Sequence, residues 1–321
     1  MSSIKVDEAR KIILEKIEVQ GTEKVSINEA LGRILSEDIV ARRNNPPMDN
    51  SAMDGYALIA NDIKSATPET PVTLDIIEDL AAGYSPEMVV KPGQAVRIMT
   101  GAPIPEGADA VIMQEDTERD GNRVQVKDKA EIRENIRDAG EDVREGETVI
   151  RKGADLLPAH IGMMAVVGRS SVLVGRRPSV AILSTGDEIM DLDDSLSGPC
   201  IYNSNGYMLA AQIKSAGGIP SYLGIARDNE EDLMEKFKWA LQCDMVVSSG
   251  GVSVGDYDLV KASLKKMGQE MLFWKVAMKP GKPLAFGRID DTPIFGLPGN
   301  PVSSFVSFEQ FVRPSIRKMM G

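Results

Sequence analysis

The apolar positions at the start of the chain repeat with the period of a helix. Four of them are three or four residues apart and share one helical face: Val6, Ala9, Ile13 and Ile17. The sequence therefore predicts that the chain opens with an amphipathic helix. The segment INEALGRIL, residues 27–35, has a shorter pattern of the same kind and predicts a second short helix, with Asn28 as its N-cap.

Short strands, rather than helices, are predicted between about Val72 and Val126. The apolar runs in this region are brief and are separated by turns rich in Gly, Pro and Asn: VTLDII, AVRIM, DAVIM and RVQV. Such a pattern is typical of a compact, mostly antiparallel β module. A polar segment with two prolines, residues 41–58, precedes these strands and marks the passage from one domain to another.

From Arg177 onward, apolar strands alternate with amphipathic helices. This alternation predicts a parallel sheet that is covered by helices on both faces. We therefore expect a multidomain α/β protein with three parts. They are a discontinuous, elongated N-terminal linker domain (residues 1–43 and 144–174), an inserted, mostly β module (44–143) and a parallel-sheet α/β domain (175–321).

Ligands of open α/β sheets bind in the loops that follow the C-terminal ends of the strands. Four such loops are predicted, around residues 184–188, 227–229, 248–258 and 296–301. Their glycines let backbone amides approach an anion, and the helix that follows adds the positive end of its dipole. One such loop would be weak evidence, but four at one edge predict a site for a phosphorylated small molecule.

Acidic residues occupy the same loops: Glu188, Asp228, Asp256 and Asp258. Each alone could be a helix cap or a solvated turn residue. Clustered carboxylates repel one another, and a divalent cation relieves that repulsion. Mg²⁺ held by carboxylates and by a ligand phosphate fits this arrangement.

Three lysines lie close together in the segment WKVAMKPGKP: Lys275, Lys279 and Lys282. Two prolines restrict the backbone between them, which suits the binding of an oxyanion in an otherwise acidic protein. Exposed lysines on a turn remain the alternative. The chain has neither a G-x-G-x-x-G after the first strand of the α/β domain nor a Walker lysine motif, so the pattern favours metal-assisted phosphate chemistry over hydride transfer.

Composition narrows the classes of partner. The chain has 37 Lys and Arg against 48 Asp and Glu, a net charge of −11, which repels nucleic acid. The charged N-terminus does not resemble a signal peptide, and no apolar run approaches the ~20 residues of a spanning helix. Two cysteines suit a reducing compartment, and a single histidine, His160, excludes a multi-histidine zinc site. We expect a cytoplasmic protein that contacts neither nucleic acid nor membrane.

Several longer motifs resemble those of the molybdopterin molybdenumtransferases, the family of MoeA and of the E domains of gephyrin. They are DNSAMDGYA (49–57), RIMTGAP (97–103), STGDE (184–188), GGVSVG (250–255), KPGKP (279–283) and LPGNP (297–301). These motifs are ordered and spread over the whole chain. The resemblance implies that the α/β domain is a molybdopterin-binding domain of the kind found in MoaB and Mog.

The resemblance implies that adenylylated molybdopterin and molybdate are converted to molybdenum cofactor and AMP, with Mg²⁺ assisting. Catalytic roles are implied for Asp54, Asp142, Glu188, Asp228 and Asp258, of which the last three would hold the metal. Substrate binding is implied for Thr100, Ser184, Thr185, Gly186, Ser249, Gly250, Gly251, Ser253, Pro298 and Asn300. Lys275, Lys279 and Lys282 would bind molybdate or phosphate.

A homodimer is also implied, in which the linker domain takes part in dimerisation. Its site would lie between the α/β domain of one subunit and the β module of the other, so that Asp54 and Thr100 come from the second subunit. A molybdopterin adenylyltransferase and molybdoenzyme apoproteins are further expected partners. Family members continue past the LPGNP helix into a small C-terminal β domain, which we expect this chain to lack, together with an arginine and a serine of the molybdate site.

Two other functions are compatible with the sequence. The first is an ATP-dependent adenylyltransferase acting on molybdopterin, since related α/β domains occur in that enzyme. That family, however, lacks the inserted β module and the DNSAMDGYA segment. The second is a non-catalytic role in assembly, because one relative acts as a scaffold.

Overall fold

The computed structural model describes residues 3–196, 198–250 and 259–321. In chain order, its α-helices are α1 (Val6–Lys16), α2 (Pro158–Val166), α3 (Ser204–Ala216), α4 (Glu230–Ala240), α5 (Leu259–Lys266), α6 (Pro301–Ser307) and α7 (Arg313–Met319). Short 3₁₀ turns lie at Ile27–Glu29, Ala60–Ile63 and Gln114–Asp116, and a π-helical turn, Phe308–Val312, joins α6 to α7. Within these residues, no helix is long and apolar enough to cross a membrane.

The strands of the first half of the chain are β1 (Thr22–Ser26), β2 (Ile39–Val40), β3 (Asn50–Ser51), β4 (Gly55–Leu58), β5 (Val72–Leu80), β6 (Gln94–Ile98), β7 (Ala110–Met113), β8 (Thr117–Asp120), β9 (Arg123–Val126), β10 (Ile136–Arg137) and β11 (Thr148–Ile150). Those of the second half are β12 (Ser171–Gly175), β13 (Ser179–Thr185), β14 (Ile189–Met190), β15 (Ile201–Tyr202), β16 (Ile219–Ala226), β17 (Met245–Ser249), β18 (Glu270–Lys275), β19 (Pro283–Ile289) and β20 (Thr292–Leu297).

The chain folds into two compact units. Unit 1 consists of Met1–Glu37, Arg151–Ile161 and Ser170–Gly321, and unit 2 consists of Asp38–Ile150 and Gly162–Arg169. Unit 1 thus contains the α1 helix and the predicted α/β domain, whereas unit 2 contains the strands of the predicted β module.

The main sheet of unit 1 has the strand order β16-β13-β17-β20-β19-β18. Strands β16, β13, β17 and β20 are parallel, as predicted, but β19 is antiparallel to both of its neighbours. The loops that precede and follow β19 explain this difference. Only Asp290 and Asp291 separate β19 from β20, and seven residues separate β18 from β19. A parallel crossover needs a dozen residues or more, so these strands can pair only as hairpins.

Apolar residues that alternate along the strands of this sheet bury both of its faces. Val180 and Ile182 pack with the helices α1, α3 and α7 and with the π-helical turn Phe308–Val312 on one face. On the other face, Ala181 and Leu183 pack with α4 and α5. This is the double cover that alternating strands and helices predict.

One edge of the sheet collects most of the loops of interest. Because β19 is antiparallel to both neighbours, β18 and β20 run in the same direction. The C-terminal ends of β16, β13, β17, β20 and β18 therefore all lie at one edge, and β19 begins there. The loop between β18 and β19 lies at this edge together with the loops that follow the parallel strands.

Unit 2 is built around a second six-stranded sheet, with the order β7-β4-β6-β5-β9-β8. Its strand pairs are antiparallel except β5 with β6, which agrees with the predicted, mostly antiparallel module. Tyr56 and Leu58 of β4 are buried in one apolar cluster, and Ala57 between them is buried in another. Both faces of the sheet are therefore covered within this unit.

The predicted helix over residues 27–35 is wrong. Only the 3₁₀ turn Ile27–Glu29 forms, and its cap is Ser26, whose hydroxyl oxygen accepts from the backbone of Asn28 at 3.3 Å. Gly32 has φ +72°, which is incompatible with a continuing helix, and its N–H donates to the carbonyl of Leu156 at 2.8 Å. Pairing with a distant segment replaces the local helix here.

Candidate functional site

A pocket opens at the edge of unit 1 where the parallel strands end. Its volume is about 120 Å³. Five of the predicted site residues line it: Ser184, Thr185, Glu188, Ser249 and Gly250. The remaining lining residues are Ile189, Ile201, Tyr202, Asn203, Ser204, Asn205, Gly299 and Pro301.

Close backbone contacts hold the strand-end loops together around this pocket. The N–H of Gly250 donates to the carbonyl of Leu297 at 3.2 Å, which joins the ends of β17 and β20. Gly250 has φ +87°, and a Cβ at this position would lie 2.6 Å from the carbonyl oxygen of Thr185. A side chain cannot be accommodated there without displacing the neighbouring strand end, so glycine is required.

The N-terminus of α3 supplies pocket residues that the sequence analysis missed. Asn203 caps the helix, with its Oδ1 accepting from the N–H of Gly206 at 3.0 Å. Nδ2 of Asn205 donates to Oγ of Ser249 at 2.7 Å and to the carbonyl of Gly299 at 2.8 Å. The run Asn203-Ser204-Asn205 at the start of a helix on the ligand edge is the sequence signal that could have identified them.

The acidic residues of this edge lie near one another. The N–H of Asp228 donates to Oδ1 of Asp187 at 3.1 Å. Burial, then the charges of Asp187 and Glu188, raise the pKa of Asp228 above its ordinary value. Among the residues that the structure describes, no group of three or more His, Cys, Asp or Glu side chains is placed to hold a metal ion. The predicted third ligand, Asp258, lies outside the described residues.

Other predicted residues of this edge fall into two groups. Gly251, Ser253 and Asp256 lie outside the described residues. Gly186, Pro298 and Asn300 belong to the loops that flank the pocket but do not line it. Asn300 is the N-cap of α6, since its Oδ1 accepts from the N–H of Ser303 at 3.2 Å.

The loop between β18 and β19 carries the three predicted lysines. Lys279 and Lys282 are exposed and Lys275 is half-buried, and none of them lines the pocket. No side-chain hydrogen bond or ion pair joins any of them to the described part of the chain. All three lie at the edge of the sheet that also carries the pocket.

Unit 2 holds the remaining predicted residues. Oδ1 of Asp54 accepts from the N–H and from the hydroxyl of Thr100, both at 2.7 Å, and these hydrogen bonds lower the pKa of Asp54. Asp142 accepts from Nη2 of Arg137 at 2.7 Å and from Nδ2 of Asn45 at 3.3 Å. Asp54 is thus held ionised, and Asp142 is paired with an arginine.

Comparison with known families matches almost the whole chain. The model described as MoeA N-terminal region (domain I and II) matches residues 4–168. The model described as probable molybdopterin binding domain matches residues 181–318, which include the pocket.

Individual relatives agree with these matches. A molybdopterin molybdenumtransferase of Haemophilus influenzae is 41% identical over 319 residues, which are 98% of this chain and 78% of the relative. A molybdopterin molybdenumtransferase 2 of Mycobacterium tuberculosis is 39% identical, with 98% and 80% covered. The crystal structure of the molybdopterin biosynthesis moeA protein from Pyrococcus horikoshii OT3 superposes with a TM-score of 0.87 at 35% identity, covering 100% of this chain and 80% of that one. The chain therefore belongs to the MoeA family of molybdopterin molybdenumtransferases.

Proposed function

We propose that the chain is a molybdenum insertase, which transfers molybdenum from molybdate to adenylylated molybdopterin and releases AMP. The main support for this proposal is that three features lie at one edge of the same sheet. Those features are a pocket lined by serine and asparagine side chains, a group of carboxylates, and three lysines that have no side-chain partner among the described residues. Relatives of the chain are named molybdopterin molybdenumtransferase. We further propose that the reaction takes place in the cytoplasm.

The loops around the pocket would bind the organic part of the substrate. Ser184, Thr185, Ser249 and Gly250 line the pocket and present hydroxyl and backbone groups to it. The glycine at 250 lets the ends of β13 and β17 approach closely, so that the pocket is held by the sheet itself. A site built on strand ends holds the bound group in a fixed position.

Glu188 and Asp228, with Asp258, would hold Mg²⁺. The raised pKa of Asp228 supports this assignment, because it reflects burial and neighbouring negative charges that a cation would offset. Mg²⁺ keeps several waters and commonly takes only one or two protein carboxylates along with substrate phosphate, so a closed cage is not required. When bound, Mg²⁺ neutralises charge on the phosphoanhydride oxygens.

Lys275, Lys279 and Lys282 would collect molybdate. Molybdate is a tetrahedral oxyanion, and the chain carries a net charge of −11, so a local group of cations is needed to attract it. We also propose a homodimer, in which Asp54 and Thr100 serve the site of the partner subunit. Contact with a molybdopterin adenylyltransferase and with molybdoenzyme apoproteins belongs to the same proposal.

The proposal is tested by following AMP. The chain is incubated with adenylylated molybdopterin and Mg²⁺, molybdate is added, and AMP release is measured. We expect release that depends on molybdate. Lys279→Ala should weaken apparent molybdate affinity about tenfold, the usual scale for losing a charge-assisted hydrogen bond. Lys238→Ala, which removes an exposed lysine from α4, is the charge-matched control and should behave as wild type.

Two results would contradict this function. One is AMP release that molybdate does not stimulate. The other is consumption of ATP with unmodified molybdopterin, which would instead identify an adenylyltransferase. If Lys279→Ala and Lys238→Ala had the same apparent affinity for molybdate, the loop between β18 and β19 would not be the molybdate site.

A further inference from the structure

A second cavity lies in unit 1, at the edge of the main sheet opposite the pocket described above. Its volume is about 340 Å³, and all of its lining residues belong to unit 1. Arg177 and Gly217 line it, and each is two residues before the start of a parallel strand, β13 or β16. The linings of the cavity and of the pocket have none of the described residues in common.

The lining of the second cavity carries more positive than negative charge. Four of its residues are cationic and two are acidic: Arg33, Arg177, Lys214 and Arg317, with Glu29 and Asp155. Arg317 is paired with Asp155 at 2.7 Å, and Arg33 is paired with Glu23. Arg177 and Lys214 have no ion pair with the described residues. A local excess of cations is unusual for a chain with a net charge of −11.

The caps of a helix end explain only part of this charge. The carbonyl oxygens at the end of α3 attract cations, and Nε of Arg177 donates to the carbonyl of Gly217 at 2.8 Å. This bond uses one of the five N–H groups of the guanidinium. Lys214 is exposed, in the last turn of α3, and has no side-chain partner among the described residues. Both side chains therefore have donors to spare.

A buried nitrogen in the wall of the cavity lacks an acceptor. Arg33 is only 7% exposed, and its Nη2 donates to the carbonyl of Gly175 at 2.7 Å and to the carboxylate of Glu23. Its Nε is buried and has no hydrogen-bond partner among the described residues. An N–H of arginine can only donate, so the missing partner is an acceptor.

The size and the apolar part of the lining favour an organic molecule over a bare ion. Pockets for small molecules begin at about 300 Å³, and this cavity falls just above that limit. Leu31 and Leu157 line it and are 58% and 55% exposed. The cavity thus combines cationic donors with uncovered apolar surface.

We propose that the second cavity binds a small phosphate monoester, with Arg177 and Lys214 holding the phosphate and Leu31 and Leu157 contacting the organic group. A phosphate monoester has a charge of about −1.5 to −2 at pH 7, which suits two cations that are free of ion pairs. The fork of an arginine also fits two phosphate oxygens at once. The inference does not depend on the proposed function, because the pocket and the second cavity are lined by different residues.

Calorimetric titration of the intact chain tests the ligand class. The probes are phenyl phosphate, inorganic phosphate and benzoate. We expect phenyl phosphate to bind about tenfold more tightly than either of the others. Inorganic phosphate lacks the apolar group, and benzoate has a single charge and only two oxygens.

Two lysine variants test the place of binding. Lys214→Gln should weaken the binding of phenyl phosphate about tenfold, because a charge-assisted hydrogen bond is lost. Lys238→Gln is the matched control, since Lys238 is also an exposed lysine in the last turn of a helix, α4, and does not line the cavity. It should bind phenyl phosphate as the wild type does.

Two further variants locate the two ends of the probe. Leu31→Ser should weaken phenyl phosphate and leave the affinity for inorganic phosphate within about twofold of wild type, because only the phenyl group contacts the leucine. Lys279→Ala, which alters the opposite edge of the sheet, should bind phenyl phosphate as the wild type does.

Four results would overturn the proposal. They are no binding of phenyl phosphate by the wild type, tighter binding of benzoate than of phenyl phosphate, equal affinities of Lys214→Gln and Lys238→Gln, and a loss of binding in Lys279→Ala. The last result would place the probe at the lysines between β18 and β19 instead.

Discussion

The pKa values of Asp54 and Asp228, both predicted to be catalytic, are shifted in opposite directions. Two hydrogen bonds from Thr100 lower the pKa of Asp54, so it stays ionised below the ordinary range of an aspartate. Burial and two neighbouring carboxyls raise the pKa of Asp228, so it takes up a proton more readily. Each state follows from the immediate neighbours of the side chain, which the residue type alone does not reveal.

The raised pKa of Asp228 leads to a prediction about stability. A carboxyl whose pKa is higher in the folded state stabilises the fold below its unfolded pKa, and this contribution is lost as pH rises through the folded value. At pH 7, Asp228→Asn should therefore be as stable as the wild type or slightly more stable. The gain in the free energy of unfolding should not exceed about 0.5 kcal/mol, because the side chain is exposed. The difference should vanish below about pH 4, where an unfolded aspartate is also protonated.

Thermal unfolding at pH 7 and pH 3.5 measures this effect. Glu231→Gln, which neutralises an exposed acid in the first turn of α4, serves as the control. A clear loss of stability in Asp228→Asn at pH 7 would show that its carboxylate is compensated in the folded chain. The same variant should bind Mg²⁺ and substrate less well, because the charge proposed to hold the cation is gone.

At the scale of elements, the pocket depends on how closely the ends of β13 and β17 approach. In Gly250→Ala the backbone would be strained, and the added Cβ would lie 2.6 Å from the carbonyl oxygen of Thr185. Gly224, in β16, has nearly the same φ, +82°, but has open space around the position of a Cβ. Gly224→Ala should cost about 1–2 kcal/mol from backbone strain alone. Gly250→Ala should cost more and should also weaken the binding of adenylylated molybdopterin.

Urea unfolding of both variants and their titration with adenylylated molybdopterin measure the difference. The excess cost of Gly250→Ala over Gly224→Ala reports the contact with Thr185, since the backbone conformations are alike. Equal costs in the two variants, with normal binding of adenylylated molybdopterin in both, would mean that the strand ends move apart easily and that the pocket does not depend on their separation.

Elements whose partners are local were predictable from the sequence. The period of Val6, Ala9 and Ile13 predicts α1, and the short loops around β19 are the sequence signal for its hairpins. The helix predicted over residues 27–35 does not form, because Gly32 instead donates a hydrogen bond to Leu156. No local sequence pattern encodes this long-range bond. The local sequence determines a helix or strand only where hydrogen bonding to a distant segment does not compete with it.

The candidate site was predictable to a similar extent. Strand-end loops follow from the alternation of strands and helices, and they include the pocket residue Glu188, whereas roles for Ser184, Thr185, Ser249 and Gly250 were implied by the family resemblance. Asn205 was missed because its role depends on the carbonyl of Gly299, 94 residues away.

At the scale of the whole molecule, family membership confirms the resemblance, while the three-part domain division and the homodimer stay predictions. The dimer is tested by subunit complementation. Asp54→Ala and Asp228→Ala chains are each expected to lack AMP release. Mixed under conditions that exchange subunits, they should regain about a quarter of wild-type activity, since half of the dimers are mixed and each has one intact site.

Sedimentation of the wild type measures the dimer directly, and each variant mixed with itself is the control. A mixture that stays inactive would place Asp54 and Asp228 in the site of the same subunit. If the chain were a monomer and released AMP at the full rate, the reaction would not require a dimer.

The packing of α1 also affects the order in which the chain can fold during synthesis. Ala9 and Ile13 of this helix share a cluster with Phe308, Phe311 and Ile316, and Lys318 bonds the carbonyl of Leu14. The first helix is therefore made about 300 residues before the residues that cover it, roughly 15–60 s at ordinary rates of translation. All of unit 2 emerges from the ribosome in that interval. The apolar face of α1 therefore lacks these partners from the C-terminal helices while unit 2 is being synthesised.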